Sequence, residues 1–79
     1  MTTQLAILEV LELADGHLLP ERVLVADTER LLGRRVGATE IVAEAGKLEG
    51  RGQILSVNNE DMGKRYKITD EGRARLRGA

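Results

Sequence analysis

The chain has 79 residues, with 12 Lys and Arg against 13 Asp and Glu, and it contains no Cys. Its length predicts a single domain over residues 1–79, with a thin core because a chain of this size buries only about 60% of its surface on folding. The lack of Cys excludes a disulfide scaffold, a thiolate zinc site and cysteine catalysis. No apolar run reaches the roughly 18–20 residues of a membrane span, and the N-terminus does not resemble a signal peptide. We therefore expect a cytoplasmic protein with no membrane partner.

Acidic and basic residues are unevenly distributed along the chain. Residues 1–29 contain six acids and one base, whereas residues 30–79 contain eleven bases and seven acids, so the two parts carry −5 and +4. Such a division predicts one face for a partner or for self-contact and another for an anion. The alternative is a solvated surface on which the charges cluster by chance.

The first predicted helix covers residues 3–15. Thr2 or Thr3 is suited to cap its start, and Gly16 to end it. Its apolar arc is wider than one neighbouring helix needs, so we expect part of the arc to face another subunit; in a monomer the whole arc would be core. The arc consists of Leu5, Ile7, Leu8, Val10, Leu11, Leu13 and Ala14.

A second helix is predicted after a short extended segment. Pro20 suits a first helical turn, and the helix is predicted to run from Glu21 to about Leu32, where Gly33 ends it. The residues predicted to point inward are Val23, Leu24, Leu31 and Leu32.

A third helix is predicted over Ala38–Gly50, after a turn. Gly37 or Thr39 is suited to cap it. Small Ala45 and Gly46 are expected to permit the close approach of another helix. The inward stripe is predicted to contain Ile41, Val42, Ala45 and Leu48.

The remaining residues predict a β-hairpin and a last helix. Residues 53–57 and 64–68 have strand patterns and are separated by polar turn residues, and Tyr66 is expected in the core. Thr69 is predicted to cap the last helix, in which Leu76 is the main apolar contact. The order is thus helix, short strand, helix, turn, helix, hairpin, helix.

Two sequence motifs within this order of elements, called phrases below, resemble those of a known superfamily. The segment LEGRGQI at 48–54 ends the third helix, and YKITDEG at 66–72 leads from the hairpin into the last helix. Together they resemble the winged helix-turn-helix superfamily, and most closely its small regulators of the MarR and PadR kind. The resemblance implies an α+β, mostly helical fold with a three-helix core, a β-hairpin wing and a short C-terminal helix.

The resemblance also implies a function, that of a small DNA-binding transcriptional regulator. In such folds the third helix enters the major groove of double-stranded DNA and the wing contacts the backbone. Arg and Lys supply affinity for phosphate, while Asn, Thr and Glu are suited to base edges. The residues that would carry these roles are Arg34, Arg35, Thr39, Glu40, Ala43, Glu44, Lys47, Arg51, Asn58, Asn59, Lys64 and Arg65.

Acidic residues in these same segments favour an alternative. Glu40 and Glu44 lie on the third helix, and Glu60 and Asp61 lie in the wing turn, where each would repel phosphate. The alternative function is a winged-helix protein–protein interaction module without strong DNA binding. Regulators of this kind also tend to dimerise through an added helix, and a homodimer here would use the first helix or the last one.

Other chemistry has little support in the sequence. His17 is the one histidine and is expected at a helix end, in a capping or surface role. No spacing of His, Cys or carboxylates predicts a metal site, and the glycines form neither a P-loop nor a dinucleotide fingerprint. We therefore expect no cofactor, no metal and no enzymatic activity.

Overall fold

The computed structural model describes residues 1–78, so Ala79, the last residue of the predicted domain, lies outside the described residues. Four helices and three strands follow in the predicted order. They are α1 (Thr3–Leu13), β1 (Leu19–Pro20), α2 (Glu21–Leu32), α3 (Ala38–Gly50), β2 (Ile54–Asn59), β3 (Gly63–Ile68) and α4 (Asp70–Gly78).

Helix α1 begins where predicted but ends earlier. The hydroxyl oxygen of Thr2 accepts a hydrogen bond from the backbone N–H of Leu5 (3.1 Å), which makes Thr2 the N-cap. The helix ends at Leu13 and not at residue 15, because Asp15 and Gly16 both adopt a positive φ, of 54° and 80°. A left-handed backbone cannot continue a right-handed helix.

Helices α2 and α3 have the predicted bounds. Gly33 ends α2 in the left-handed conformation, with φ of 73°, and the N–H groups of Gly33 and Arg34 donate to the carbonyl oxygen of Glu29. This pattern satisfies carbonyl groups that a helix C-terminus otherwise leaves unpaired. The turn that follows is short, so α2 and α3 form a helix-turn-helix.

The sheet is antiparallel and has the order β1-β3-β2. Tyr66 of β3 pairs with Leu19 on one side and with Ser56 on the other. The hairpin strands extend further toward the turn than predicted, to Asn59 and Gly63, because those residues still form a cross-strand pair. The wing is therefore longer than the sequence pattern indicated.

The core lies between α1, α2, α3 and the inner face of the sheet, and Tyr66 is in it as predicted. Its fully buried side chains include Ile7, Leu8, Leu11, Leu24, Thr28, Ile41, Leu48, Ile54 and Tyr66. The prediction was wrong for Leu31, which is 41% exposed, because the inward stripe of α2 passes through Leu24 and Thr28. Gly46 was also misplaced, since it is exposed and a Cβ there would meet no atom within 4 Å.

The two phrases at 48–54 and 66–72 meet in space, where α4 begins beside the start of β2. The hydroxyl of Thr69 donates to the carbonyl oxygen of Gly52 (2.6 Å) and accepts from the N–H of Gly72 (3.2 Å). The N–H of Thr69 donates to the carbonyl oxygen of Gln53 (3.1 Å). This junction completes the predicted α+β architecture of a three-helix core, a hairpin wing and a short C-terminal helix.

Candidate nucleic-acid interface

The turn between α2 and α3 is held by one carboxylate. Oε2 of Glu29 accepts from the N–H groups of Val36 and Gly37, both at 2.8 Å, and so holds the backbone that leads into α3. The hydrogen bonds from Gly37 and Val36 lower the pKa of Glu29. Gly37 is the N-cap residue of α3, one of the two predicted, and as a glycine it supplies no side-chain hydrogen bond of its own. The carboxylate of Glu29 thereby fixes where α3 starts relative to α2.

This turn carries the first two predicted site residues. Arg34 and Arg35 are both exposed. Within residues 1–78 neither forms an ion pair with a carboxylate, in contrast to Arg30, whose Nη1 lies 2.9 Å from Oδ1 of Asp27. Arg34 and Arg35 thus present their charge beside the N-terminal end of α3.

The outward face of α3 is small and largely uncharged. Ala43 lies opposite the buried Ile41 and Ala45, because residues along an α-helix are separated by about 100°. The exposed residues of the helix are Ala38, Thr39, Glu40, Ala43, Gly46, Lys47 and Gly50. A face without long side chains at its centre permits the helix to approach another surface closely.

Glu44, predicted on this outward face, is turned toward α1 instead. Its Oε1 accepts from Nε2 of Gln4 (3.1 Å), and its Oε2 lies 2.8 Å from Nζ of Lys47. The hydrogen bonds from Lys47 and Gln4 lower the pKa of Glu44. Glu40 remains exposed at one edge of the outward face. The sequence predicted two acids on this face, and the structure leaves one at its border.

The wing turn uses one of its predicted site residues for its own shape. Oδ1 of Asn59 accepts from the N–H groups of Asp61 (2.8 Å) and Met62 (3.3 Å), which forms an Asx turn. Only the amide NH₂ of Asn59 is then left for a ligand, while Asn58 is exposed without such a role. Glu60 and Asp61 are exposed at the tip.

The two predicted basic residues of the wing lie on opposite faces of β3. Nζ of Lys64 lies 5.6 Å from the ring centroid of Tyr66, on the inner face. Arg65 is half-buried on the outer face beside Val57, and its Nε is buried without a partner in residues 1–78. Both residues are half-buried, and Lys64 and Arg65 therefore present their charges on different sides of the wing.

Side-chain hydrogen bonds connect the base of the wing to α2 and to α3. The hydroxyl of Tyr66 donates to Oε1 of Glu21 (2.8 Å), and burial together with this acceptor raises the pKa of Tyr66. The hydroxyl of Ser56 donates to Oε2 of Glu49 (2.7 Å). These contacts position the hairpin beside α3.

Arg51 lies just beyond α3, and there the structure adds a residue that sequence reasoning missed. Nη1 of Arg51 lies 3.4 Å from Oε1 of Gln4, which also accepts from Nη1 of Arg75 (2.9 Å). Glu49, two residues before Arg51, accepts from the hydroxyl of Ser56 and forms no ion pair with Arg51. Arg73, Arg75 and Arg77 alternate along α4, and this spacing does not indicate which of them lies beside Arg51.

Residues 1–78 contain neither a candidate metal site nor a candidate membrane span. No group of three His, Cys, Asp or Glu side chains there is placed to hold a metal ion. Within the same residues, no helix combines the length and apolar character that crossing a membrane requires.

The helix-turn-helix, the hairpin beside it and the closing α4 define a winged helix-turn-helix domain. Neither a protein-family model nor a curated protein matches the sequence. The fold is similar to that of hsRosR-S4, solved as a complex, with a TM-score of 0.82 and 18% identity over 99% of this chain. The chain spans 65% of the length of the hsRosR-S4 chain. At this identity the likeness concerns the fold.

Proposed function

We propose that the protein is a small, non-enzymatic DNA-binding transcriptional regulator of the cytoplasm, formed by residues 1–79 as one winged-helix unit. In this proposal α3 enters the major groove and the wing contacts the DNA backbone. The sequence phrases resemble those of MarR- and PadR-like regulators, and the winged helix-turn-helix fold supports a protein of that general kind.

One observation carries the proposal, namely the distribution of cations around α3. Arg34, Arg35 and Arg51 are exposed near its two ends without a carboxylate partner in residues 1–78, and Lys64 lies on the adjacent wing. Arg30 and Arg73, by contrast, each lie beside a carboxylate, Asp27 (2.9 Å) and Glu12 (3.0 Å). Positive charge that is left uncompensated around an exposed helix fits a polyanion.

The outward face of α3 also indicates how sequence would be recognised. Thr39 offers a hydroxyl, Ala43 a methyl group suited to the thymine methyl, and Lys47 a cation that is partly engaged with Glu44. This is a sparse set of donors and acceptors. We expect that phosphate contacts and DNA shape supply much of the affinity.

The experiment is a titration of random-sequence duplex DNA at several salt concentrations. We expect micromolar binding that weakens steeply with salt, and a shallower slope of log K against log salt, by about 0.9 for each lost phosphate contact, for Arg34→Ala and Arg35→Ala. Arg77→Gln, on α4, is the charge-matched control. Absence of binding at low salt would reject DNA as the partner and favour the alternative of a protein-interaction module.

We further propose that a second copy of the chain covers part of α1. Leu13 is 79% exposed, and with Val10 and Leu31 it lines a cleft of about 320 Å³ between α1 and α2. The ion pair of Asp27 and Arg30 lines the same cleft. A protruding leucine at a cleft with an apolar floor and a charged rim suits a two-fold interface, in which each copy supplies both features. The resulting homodimer would present two α3 helices to DNA.

The oligomeric state tests this second proposal. Leu13→Ser should shift the protein toward a monomer in analytical ultracentrifugation, because it removes the protruding apolar side chain. Met62→Ser is the matched control, since Met62 is also exposed (62%) but lies on the wing. A wild-type protein that stays monomeric at every concentration would contradict the homodimer.

A further inference from the structure

Arg51 and Arg75 converge on one side chain at the C-terminal end of α3. Oε1 of Gln4 accepts from Nη1 of Arg75 (2.9 Å) and lies 3.4 Å from Nη1 of Arg51. Nη1 of Arg75 also donates to Oε1 of Gln53 (2.9 Å). Two guanidinium groups from distant parts of the chain are thus brought together by neutral carboxamides.

The pair is held by neutral groups, and the charge of Glu44 acts on Arg51 only from beyond ion-pair distance. A carboxamide oxygen accepts a hydrogen bond without offsetting the positive charge of its donor. Within residues 1–78 neither Arg51 nor Arg75 has a carboxylate within 4.0 Å, whereas Arg73 on the same helix as Arg75 contacts both Glu12 (3.0 Å) and Asp70 (3.2 Å). The acid that reaches Gln4 is Glu44, and its other oxygen is bonded to Lys47.

The position of Arg51 and Arg75 relative to α3 indicates which part of the DNA they would meet. Helix α3 has 13 residues and is therefore about 20 Å long. Arg34 and Arg35 precede its N-terminal end, and Arg51 and Arg75 lie at the other end. The major groove of B-DNA is about 12 Å wide, so both ends of a helix of this length that enters it lie near the sugar-phosphate backbones that border the groove.

We propose that Arg51 and Arg75 form a phosphate-binding pair that anchors the C-terminal end of α3 to the DNA backbone. This inference rests on the proposed DNA-binding function and deepens it. The pair acts opposite Arg34 and Arg35, so that α3 is held at both ends while its small outward residues lie in the groove. Gln4 and Gln53 position Arg75 for the contact.

The test compares variants in binding to random-sequence duplex DNA over a series of KCl concentrations. Arg51→Gln and Arg75→Gln should each weaken binding and reduce the salt slope by about 0.9, the value for one phosphate. Arg75→Lys should keep most of the slope, because a phosphate contact needs the charge. Arg77→Gln removes the same charge two residues further along α4, about 200° around the helix, and should leave the slope unchanged.

Each outcome of these titrations either supports or overturns the proposed phosphate-binding pair. Circular dichroism and thermal unfolding establish that Arg75→Gln is folded, and Arg51→Gln provides an independent variant in which only one weak hydrogen bond is lost. If the wild type and the Arg34 and Arg35 variants behave as expected while Arg51→Gln and Arg75→Gln match Arg77→Gln, the phosphate-binding pair is overturned and the proposed function stands. If the wild type binds no DNA, both proposals fail.

Discussion

Gly72 lies against the backbone of Gln53, so close that a Cβ on residue 72 would overlap the carbonyl oxygen of Gln53 and come within 2.8 Å of Cγ1 of Ile68. This contact explains why glycine is needed after Thr69, where α4 starts beside β2. It also keeps Arg75, one turn further along α4, near Gln53 and Gln4. The close packing of Gly72 therefore helps to position Arg75, the residue that we propose binds phosphate.

Gly72→Ala should destabilise the fold, since the backbone carbonyl of Gln53 cannot yield as a flexible side chain does. We expect a loss of about 1–3 kcal/mol, the usual range for overpacking. Gly46→Ala in α3 is the matched control, because a Cβ there meets nothing within 4 Å. Gly46→Ala should stabilise by up to about 1 kcal/mol through helix propensity. Urea unfolding of both variants checks this, and equal effects would contradict the close approach.

Thr28→Val should be neutral or stabilising. Thr28 is fully buried, and its hydroxyl has no hydrogen-bond partner within residues 1–78. Valine has nearly the same shape without the polar group, so replacement relieves a desolvation cost of about 1–3 kcal/mol at most. A rise in the urea midpoint is the expected measurement. A clear loss of stability would mean that the hydroxyl has a partner, such as a bound water.

The stability of the α2–α3 turn should depend on acid pH through Glu29. Its pKa is lowered in the folded protein from the ordinary value of 4.5 by the hydrogen bonds from Gly37 and Val36. The stabilisation is therefore present above that ordinary value and is lost as pH falls through the lowered one. In thermal unfolding between neutral and acid pH, Glu29→Gln should give a flatter profile than the wild type.

Glu40→Gln is the control for this pH dependence. Glu40 is an exposed acid in the first turn of α3 and caps no backbone group within residues 1–78. Its profile should follow that of the wild type. A wild-type profile as flat as that of Glu29→Gln would show that the Glu29 carboxylate does not hold the turn.

The acidic wing tip should limit DNA affinity if the proposed function holds. Glu60 and Asp61 are exposed next to the wing strands, where they would approach phosphates. Glu60→Gln with Asp61→Asn should tighten binding to random-sequence duplex DNA, because repulsion is removed. Asp15→Asn, an exposed acid after α1, is the control and should have little effect. Unchanged affinity of the double variant would place the wing away from DNA.

The sequence by itself determined the order of the elements and most of their bounds. Apolar spacing identified α2 and α3, and Gly33 marked the end of α2, because only a few residues adopt the left-handed conformation at low cost. The phrases at 48–54 and 66–72 indicated the wing and the last helix. These are local properties, fixed by the conformational preferences of neighbouring residues.

The tertiary structure decided what each surface residue contacts. Glu44 faces Gln4 and Lys47, Leu31 is exposed, and Arg75 joins Arg51, although nothing in the local pattern distinguishes Arg75 from Arg73 or Arg77. Long polar side chains form hydrogen bonds and ion pairs with segments that are distant in the sequence. Each such surface contact contributes little free energy, so it does not affect the apolar periodicity of the sequence. The candidate interface therefore became visible only once α1, α3 and α4 were placed together.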